Sequence, residues 1–326
     1  MLALALPLSF FLVMLETAIG SYIVLLLLDV YGGIKVSRVV AAASLKQTQQ
    51  DSVASDDAAE ERPKALSVRQ AEKRVGVTKG FLVFQGLLYL VLALLTYWFG
   101  SVFATSAVFD NVKGFYQQYP LDRSWLAYQF MPLLLFMGLL LVYNALLWFN
   151  LRLPRWIVGG LACLAGLAEL LVIGMAYRPL AAESLGGALT VASIIAGALA
   201  LGGVLTAMLL GHWYLNTPTA SGKPLEFATL LMLVGLVLEM LFSFFIHSTI
   251  PAGLPQLGRP PISANALDVI RLIFGFIFTL GLGGLAFRLT RGRSFQSATG
   301  MLYLAVAFAF TGEIMTRGLF FLPPTL

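Results

Sequence analysis

Long apolar runs, each near 20 residues or more, alternate along the chain with polar connections. Eight runs can be marked, at residues 7–29, 81–103, 125–148, 156–177, 187–214, 227–245, 267–287 and 298–321. A hydrocarbon layer about 30 Å thick takes roughly 20 helical residues at about 1.5 Å each. A helix satisfies its own backbone hydrogen bonds, which lipid cannot do for it. The runs lack the two-residue alternation of barrel strands. The pattern predicts an all-α integral membrane protein: one transmembrane domain over residues 1–326, built as an eight-helix bundle. The N-terminal run has no basic region ahead of it, carries Glu16 and offers no small-residue cleavage site. It reads as the first membrane helix and not as a signal peptide.

Positive charge orients the bundle. The connection 31–80 holds nine Lys and Arg, and Arg152, Arg155, Lys223, Arg288, Arg291 and Arg293 fall on the same side, making fifteen. The opposite connections hold four: Lys113, Arg123, Arg178 and Arg259. Fifteen against four places the first set inside, and with an even helix count both termini lie on the outer side. Within the inner connection, 41–63 is rich in Ala, Ser, Gln and Asp and reads as flexible. Residues 64–79 mix charges with Ala, Leu and Val and read as a helix leading into the second span. The outer connections 105–124 and 250–266 are long enough to shape an outer surface.

Composition narrows the chemistry. Hydrophobic residues make up 59% and charged residues 11%, so the net charge of +5 follows membrane topology and not a nucleic-acid surface. The single cysteine, Cys163, excludes a disulfide scaffold and an iron–sulfur cluster held by this chain. His212 and His247 end helices on opposite faces, so one haem cannot bridge them. No His, Cys, Asp and Glu group has metal-ligand spacing. His212, beside Trp213 and Tyr214, reads as an interfacial anchor; His247 is a candidate hydrogen-bonding group at the outer mouth. No P-loop, His-Glu-x-x-His or Gly-x-Ser-x-Gly signature is present. Gly203, Ala207 and Gly211 on the fifth helix, and Gly159, Cys163 and Gly166 on the fourth, read as close-packing faces.

The informative residues are the ionisable ones in lipid, each of which needs an explanation. Glu16, Glu169, Glu239 and Glu313 lie on four different spans, roughly 12–15 Å below the outer ends. Arg271 sits about one turn inside the seventh helix, and Arg317 follows Glu313 by four residues, on the same helix face. One reading is a polar cavity with proton-accepting groups. The other is structural, each Glu pairing with Arg271, Arg317 or backbone. Glu16, Glu169 and Glu239 have no local cation, which makes them the candidate proton acceptors.

The closing motif Gly312-Glu313-Ile314, Arg317-Gly318 and Phe320-Phe321 resembles the end of the membrane anchor subunits of DMSO reductase-type complexes and of the wider NrfD and polysulfide reductase group. Arg271-Leu272-Ile273, the Gly-rich fifth helix and Thr17-Ala18-Ile19-Gly20 are similar too. The second-helix segment Trp98-Phe99-Gly100-Ser101 lacks the His usual there, and the third helix offers Gln129 where an acid would be expected. The resemblance implies a subunit of the bacterial inner membrane that binds menaquinone or ubiquinone and passes electrons to or from an outer iron–sulfur partner and a catalytic subunit, with no haem or cluster of its own. On that reading Glu16, Glu169 and Glu239, the carboxylates read from the sequence, are the candidate proton acceptors, and His247, Arg271, Gln129, Glu313 and Arg317 are candidate quinone-pocket residues or structural ion pairs. A proton-coupled transporter and a purely structural membrane subunit are the alternatives.

Overall fold

The computed structural model describes residues 5–53, 67–217, 219–249 and 264–321. Among them, eight helices are long and apolar enough to cross a membrane, so the chain is an all-α, multi-pass membrane protein. Helix α1 (Ala5–Val53) is followed by the short α2 (Val68–Val75) and the second span α3 (Lys79–Phe103). Three short helices, α4 (Ser106–Asp110), α5 (Phe115–Gln118) and α6 (Arg123–Leu126), lead into α7 (Met131–Trp148). Then come α8 (Arg152–Tyr177), α9 (Ala188–Leu215), α10 (Lys223–Ser243), α11 (Ala264–Ile270), a π-helical stretch (Arg271–Phe278), α12 (Thr279–Arg291) and α13 (Phe295–Leu319). The one strand pairing among the described residues is a two-residue antiparallel contact, Ala181–Ala182 with His247–Ser248.

Helices α1 and α9 form the centre. Of the most apolar stretch in each, 78% is buried inside the bundle, against 28% for α3. Small residues make this possible. A Cβ on Gly20 would fall inside the Ala198 carbonyl, and one on Gly202 inside the Gly20 backbone, so α1 and α9 touch backbone to backbone. Gly203 meets Met232 and Gly235 meets Ala196 and Ala200, which brings α10 equally close to α9. The close-packing face read from Gly203 and Gly211 is used, against α10 and against Thr299 of α13. Gly166 likewise packs on Ile19 and Phe136.

The inner connection differs from its reading in sequence. Residues 41–53, expected to be flexible, continue α1 as helix, and 54–66 lie outside the described residues. The helix expected over 64–79 is found as α2, closed at its start by a Ser67/Gln70 capping box and at its end by Gly76 in the left-handed region at φ 90°. The chain then turns and α3 starts afresh, with Thr78 accepting the Phe81 N–H.

The outer connection 105–124 folds as an aromatic cap. Phe109 stacks on Phe115 at 4.4 Å, and Phe321, just past α13, packs edge-on to Tyr119 and Tyr177. Asp122 caps α6: the Ser124 hydroxyl and N–H donate to its carboxyl and, with Arg178 nearby, hold it below the usual carboxylate range. Of the connection 250–266, residues 250–263 lie outside the described residues.

Candidate functional site

Four helices close on one side chain. Arg317 of α13 has its Nε 2.7 Å from Glu16 Oε1 of α1, and its Nη2 2.6 Å from Glu313 Oε1 and 3.5 Å from Glu239 Oε1 of α10. On the fourth wall, α9, Nη1 donates to Ser193 Oγ and Nη2 to the Ser193 carbonyl, each at 3.2 Å. Side-chain exposure is 0% for Glu16, Glu239 and Arg317 and 4% for Glu313, so the cluster is closed to water and to lipid alike.

Each member is placed by a local cause. Glu313 and Arg317 face each other because four residues make just over one helical turn. Glu16 lies four residues before Gly20 and Glu239 four residues after Gly235, so the two glycine contacts that bring α1 and α10 against α9 also bring these carboxyls to the same level. Gly197 makes the floor. A Cβ there would stand 2.6 Å from Arg317 Nη2 and 2.9 Å from Glu313 Oε1. Gly275 and Gly312 meet at a comparable contact, a Cβ on Gly275 falling 2.8 Å from Gly312 Cα, which seats the π-helical stretch beside Glu313.

The charges do not balance unaided. Three carboxylates and one guanidinium sum to −2, a large net charge for a site without solvent. Glu16, Glu239 and Glu313 crowd one guanidinium, with Arg317 Nη2 shared between Glu239 and Glu313. Two protons on the three carboxyls would make the cluster neutral. Both oxygens of Glu16 and of Glu239, and Arg317 Nε, lack hydrogen bonds of regular geometry. The arrangement is thus a compact, dry group of three acids around one guanidinium, neutral only with two protons bound.

Glu169 stands apart. It is fully buried on α8 and has no ion-pair partner among the described residues. Neither oxygen of its carboxyl has a hydrogen-bond partner among the described residues. With no ion pair to lose, Glu169→Gln is expected to change the unfolding free energy by less than about 1 kcal/mol, measured by thermal unfolding in detergent.

The remaining candidates do not gather into one pocket. Gln129 donates through Nε2 to the Ala104 carbonyl, tying the start of α7 to the end of α3. Arg271 pairs with Asp268 at 2.6 Å, one turn back on its own helix, and not with a buried carboxyl. The backbone of His247 pairs with Ala182, away from Arg317; its side chain lies outside the description. His212 Nδ1 is 3.3 Å from the Tyr303 hydroxyl. Among the described residues no group of His, Cys, Asp and Glu could hold a metal ion.

Two features escaped the reading by sequence. Ser193 and Gly197 carry no signal in a Gly- and Ala-rich helix. A second buried ion pair lies on the Lys- and Arg-rich side: Asp29 Oδ1 with Arg155 Nη2 at 2.6 Å, and Asp29 Oδ2 accepting from Tyr143 at 3.0 Å. The position of each charge at a helix end was visible, but their meeting across 126 residues was not. Comparison of the chain with family models, with curated proteins and with solved structures gives no match.

Proposed function

We propose that this chain is a proton-handling, quinone-interacting membrane subunit of a multi-subunit oxidoreductase, and that its working part is the cluster around Arg317. One observation carries the reading. Glu313 and Arg317, the residues of the closing motif that resembles the oxidoreductase anchors, meet Glu16 and Glu239 in a single buried group whose neutral state holds two protons. Oxidation of a quinol yields two electrons and two protons. With one cysteine and two histidines in the chain, the electrons go to an iron–sulfur partner, and the protons are the part left to side chains of this kind.

A menaquinone or ubiquinone does not fit directly on these carboxyls. The cluster is closed, and Gln129 and Arg271, expected to line a quinone pocket, are engaged at separate places. The chain's own contribution is therefore to hold protons at Glu16, Glu239 and Glu313 and to fix their number through Arg317. The closed geometry also favours a second reading, in which the cluster only locks α1, α9, α10 and α13 together.

Glu16→Gln and Glu239→Gln separate the two. Each keeps the shape of the side chain and removes one group that can take up and release a proton. On the proton-handling reading, at least one lowers quinol-dependent turnover of the intact complex by about 100-fold or more, the scale of general acid–base catalysis, with normal amounts of protein in the membrane. Unchanged turnover in both variants leaves the structural reading. Proton-coupled uptake into liposomes that these variants abolish, with turnover unaffected, would instead make the chain a carrier.

A further inference from the structure

On the Lys- and Arg-rich side of the bundle, where α3 and α8 begin, there is a cavity of about 30 Å³ among α1, α2, α3 and α8. Lys79, Arg152 and Arg155 line it, against Asp29 and Glu72, leaving a wall charge of +1 (three minus two). Asp29 is already engaged, by Arg155 at 2.6 Å and by Tyr143 at 3.0 Å. Lys79 Nζ uses one N–H on the Trp148 carbonyl at 2.7 Å, and Arg152 Nη1 uses one on Ser37 Oγ at 3.2 Å. A lysine has three donors and an arginine five, so most of the donor capacity remains.

Arg155 is the informative member. Its exposure is 5%, yet its Nε has no hydrogen-bond partner among the described residues. A buried, charged N–H without an acceptor is costly, and here it belongs to a side chain that lines a cavity. The first turns of two long helices contribute to the same wall: Lys79 and Leu82 of α3, and Arg152 and Arg155 of α8. The start of α8 has no side-chain cap, since its N-cap residue is Leu151. The positive end of each helix dipole adds to the cationic side chains.

We infer that this cavity binds a phosphate group, and that the phosphate is the headgroup phosphate of an anionic phospholipid in the adjoining leaflet. The cavity is small, so a single oxyanion and not a whole headgroup is the part that would enter it. Place selects the lipid. Lys79 and Arg152 are the first residues of the spans Lys79–Asp110 and Arg152–Leu180, which sets them at headgroup depth, where basic residues between helices attract anionic lipid. This inference stands independently of what the Arg317 cluster does.

The test is a thermal-unfolding titration of the full chain in detergent micelles doped with phosphatidylglycerol, with phosphatidylcholine, or with inorganic phosphate alone. Phosphatidylglycerol raises the unfolding temperature, and Lys79→Gln/Arg152→Gln needs about thirtyfold more of it, the effect of two interfacial cations. Both side chains are only partly buried, so the double variant folds. Lys35→Gln/Lys73→Gln removes the same charge from exposed positions on the same side and keeps the wild-type response. A rise with inorganic phosphate alone, lost in Lys79→Gln/Arg152→Gln, would give the same site to free phosphate in place of a lipid. Equal responses to the two lipids, or equal loss in the two double variants, overturns the site.

Discussion

Arg317→Met lowers the unfolding free energy of the detergent-solubilised protein by about 3–5 kcal/mol, the cost of removing one partner from a buried ion pair. The variant loses the one cation among the described residues that pairs with Glu16, Glu239 and Glu313, and strands three acids at zero to 4% exposure. The Ser193 hydroxyl and carbonyl lose their donor at the same time. Arg317→Lys does not rescue the loss. The guanidinium reaches three carboxyls and Ser193 through three separate nitrogens, whereas an ammonium is one point at the end of a shorter chain. Arg317→Met combined with Glu313→Met restores part of the stability, since the second change removes an acid left without its partner. Tryptophan fluorescence during thermal unfolding reads all three variants. A wild-type midpoint in Arg317→Met would show that the ion pairs carry no net stability.

Gly20→Leu is expected to cost at least as much, by a different route. Even the first carbon of the new side chain lands on the Ala198 carbonyl, and both are backbone positions of central helices that no rotamer change can relieve. Overpacking of this kind costs about 1–3 kcal/mol where side chains can give way, and more where they cannot. Separation of α1 from α9 would also carry Glu16 away from Arg317, so the variant is expected to elute as aggregate in size-exclusion chromatography. Gly138→Ala and Gly300→Ala are the controls. Nothing lies within 4 Å of a Cβ at either position. Both should hold or gain stability, by up to about 1 kcal/mol from helix propensity. Equal behaviour of Gly20→Leu and these controls would remove the packing argument.

The spans were readable because membrane insertion leaves its rule in one dimension: about 20 apolar residues, again and again. The pair Glu313–Arg317 was readable for the same reason, since four residues along one helix fix a shared face. The meeting of Glu16 and Glu239 with Arg317 was not, because it depends on how each helix is rotated about its axis, and rotation is set by contacts between helices. Arg271 shows the limit from the other side. Its partner Asp268 stands at i,i+3, a spacing as legible as that of Glu313 and Arg317, but the expectation of a buried carboxyl partner rested on depth alone, which does not rank a local acid against a distant one. The continuation of α1 past the membrane also had a signal. Ala41-Ala42-Ala43 with Leu45, Lys46 and Gln47 are strong helix formers, and polarity alone had marked the segment as loose. Gly197 had none, as its role exists only once Arg317 lies over it.

The distance along the chain between Glu16 and Arg317 has a consequence in time. The acid on α1 is synthesised 301 residues before the cation that faces it. At roughly 5–20 residues per second that interval is about 15 to 60 s. Throughout it Glu16 sits among apolar residues without its partner, and Asp29 of the same helix waits a shorter interval for Arg155. The oldest helix is therefore among the last to be completed: α1 must persist in the membrane as an unpaired acid-bearing helix until α13 arrives. A ribosome stalled before Arg317 would leave seven spans inserted around an unfinished core, the kind of intermediate that membrane quality control degrades.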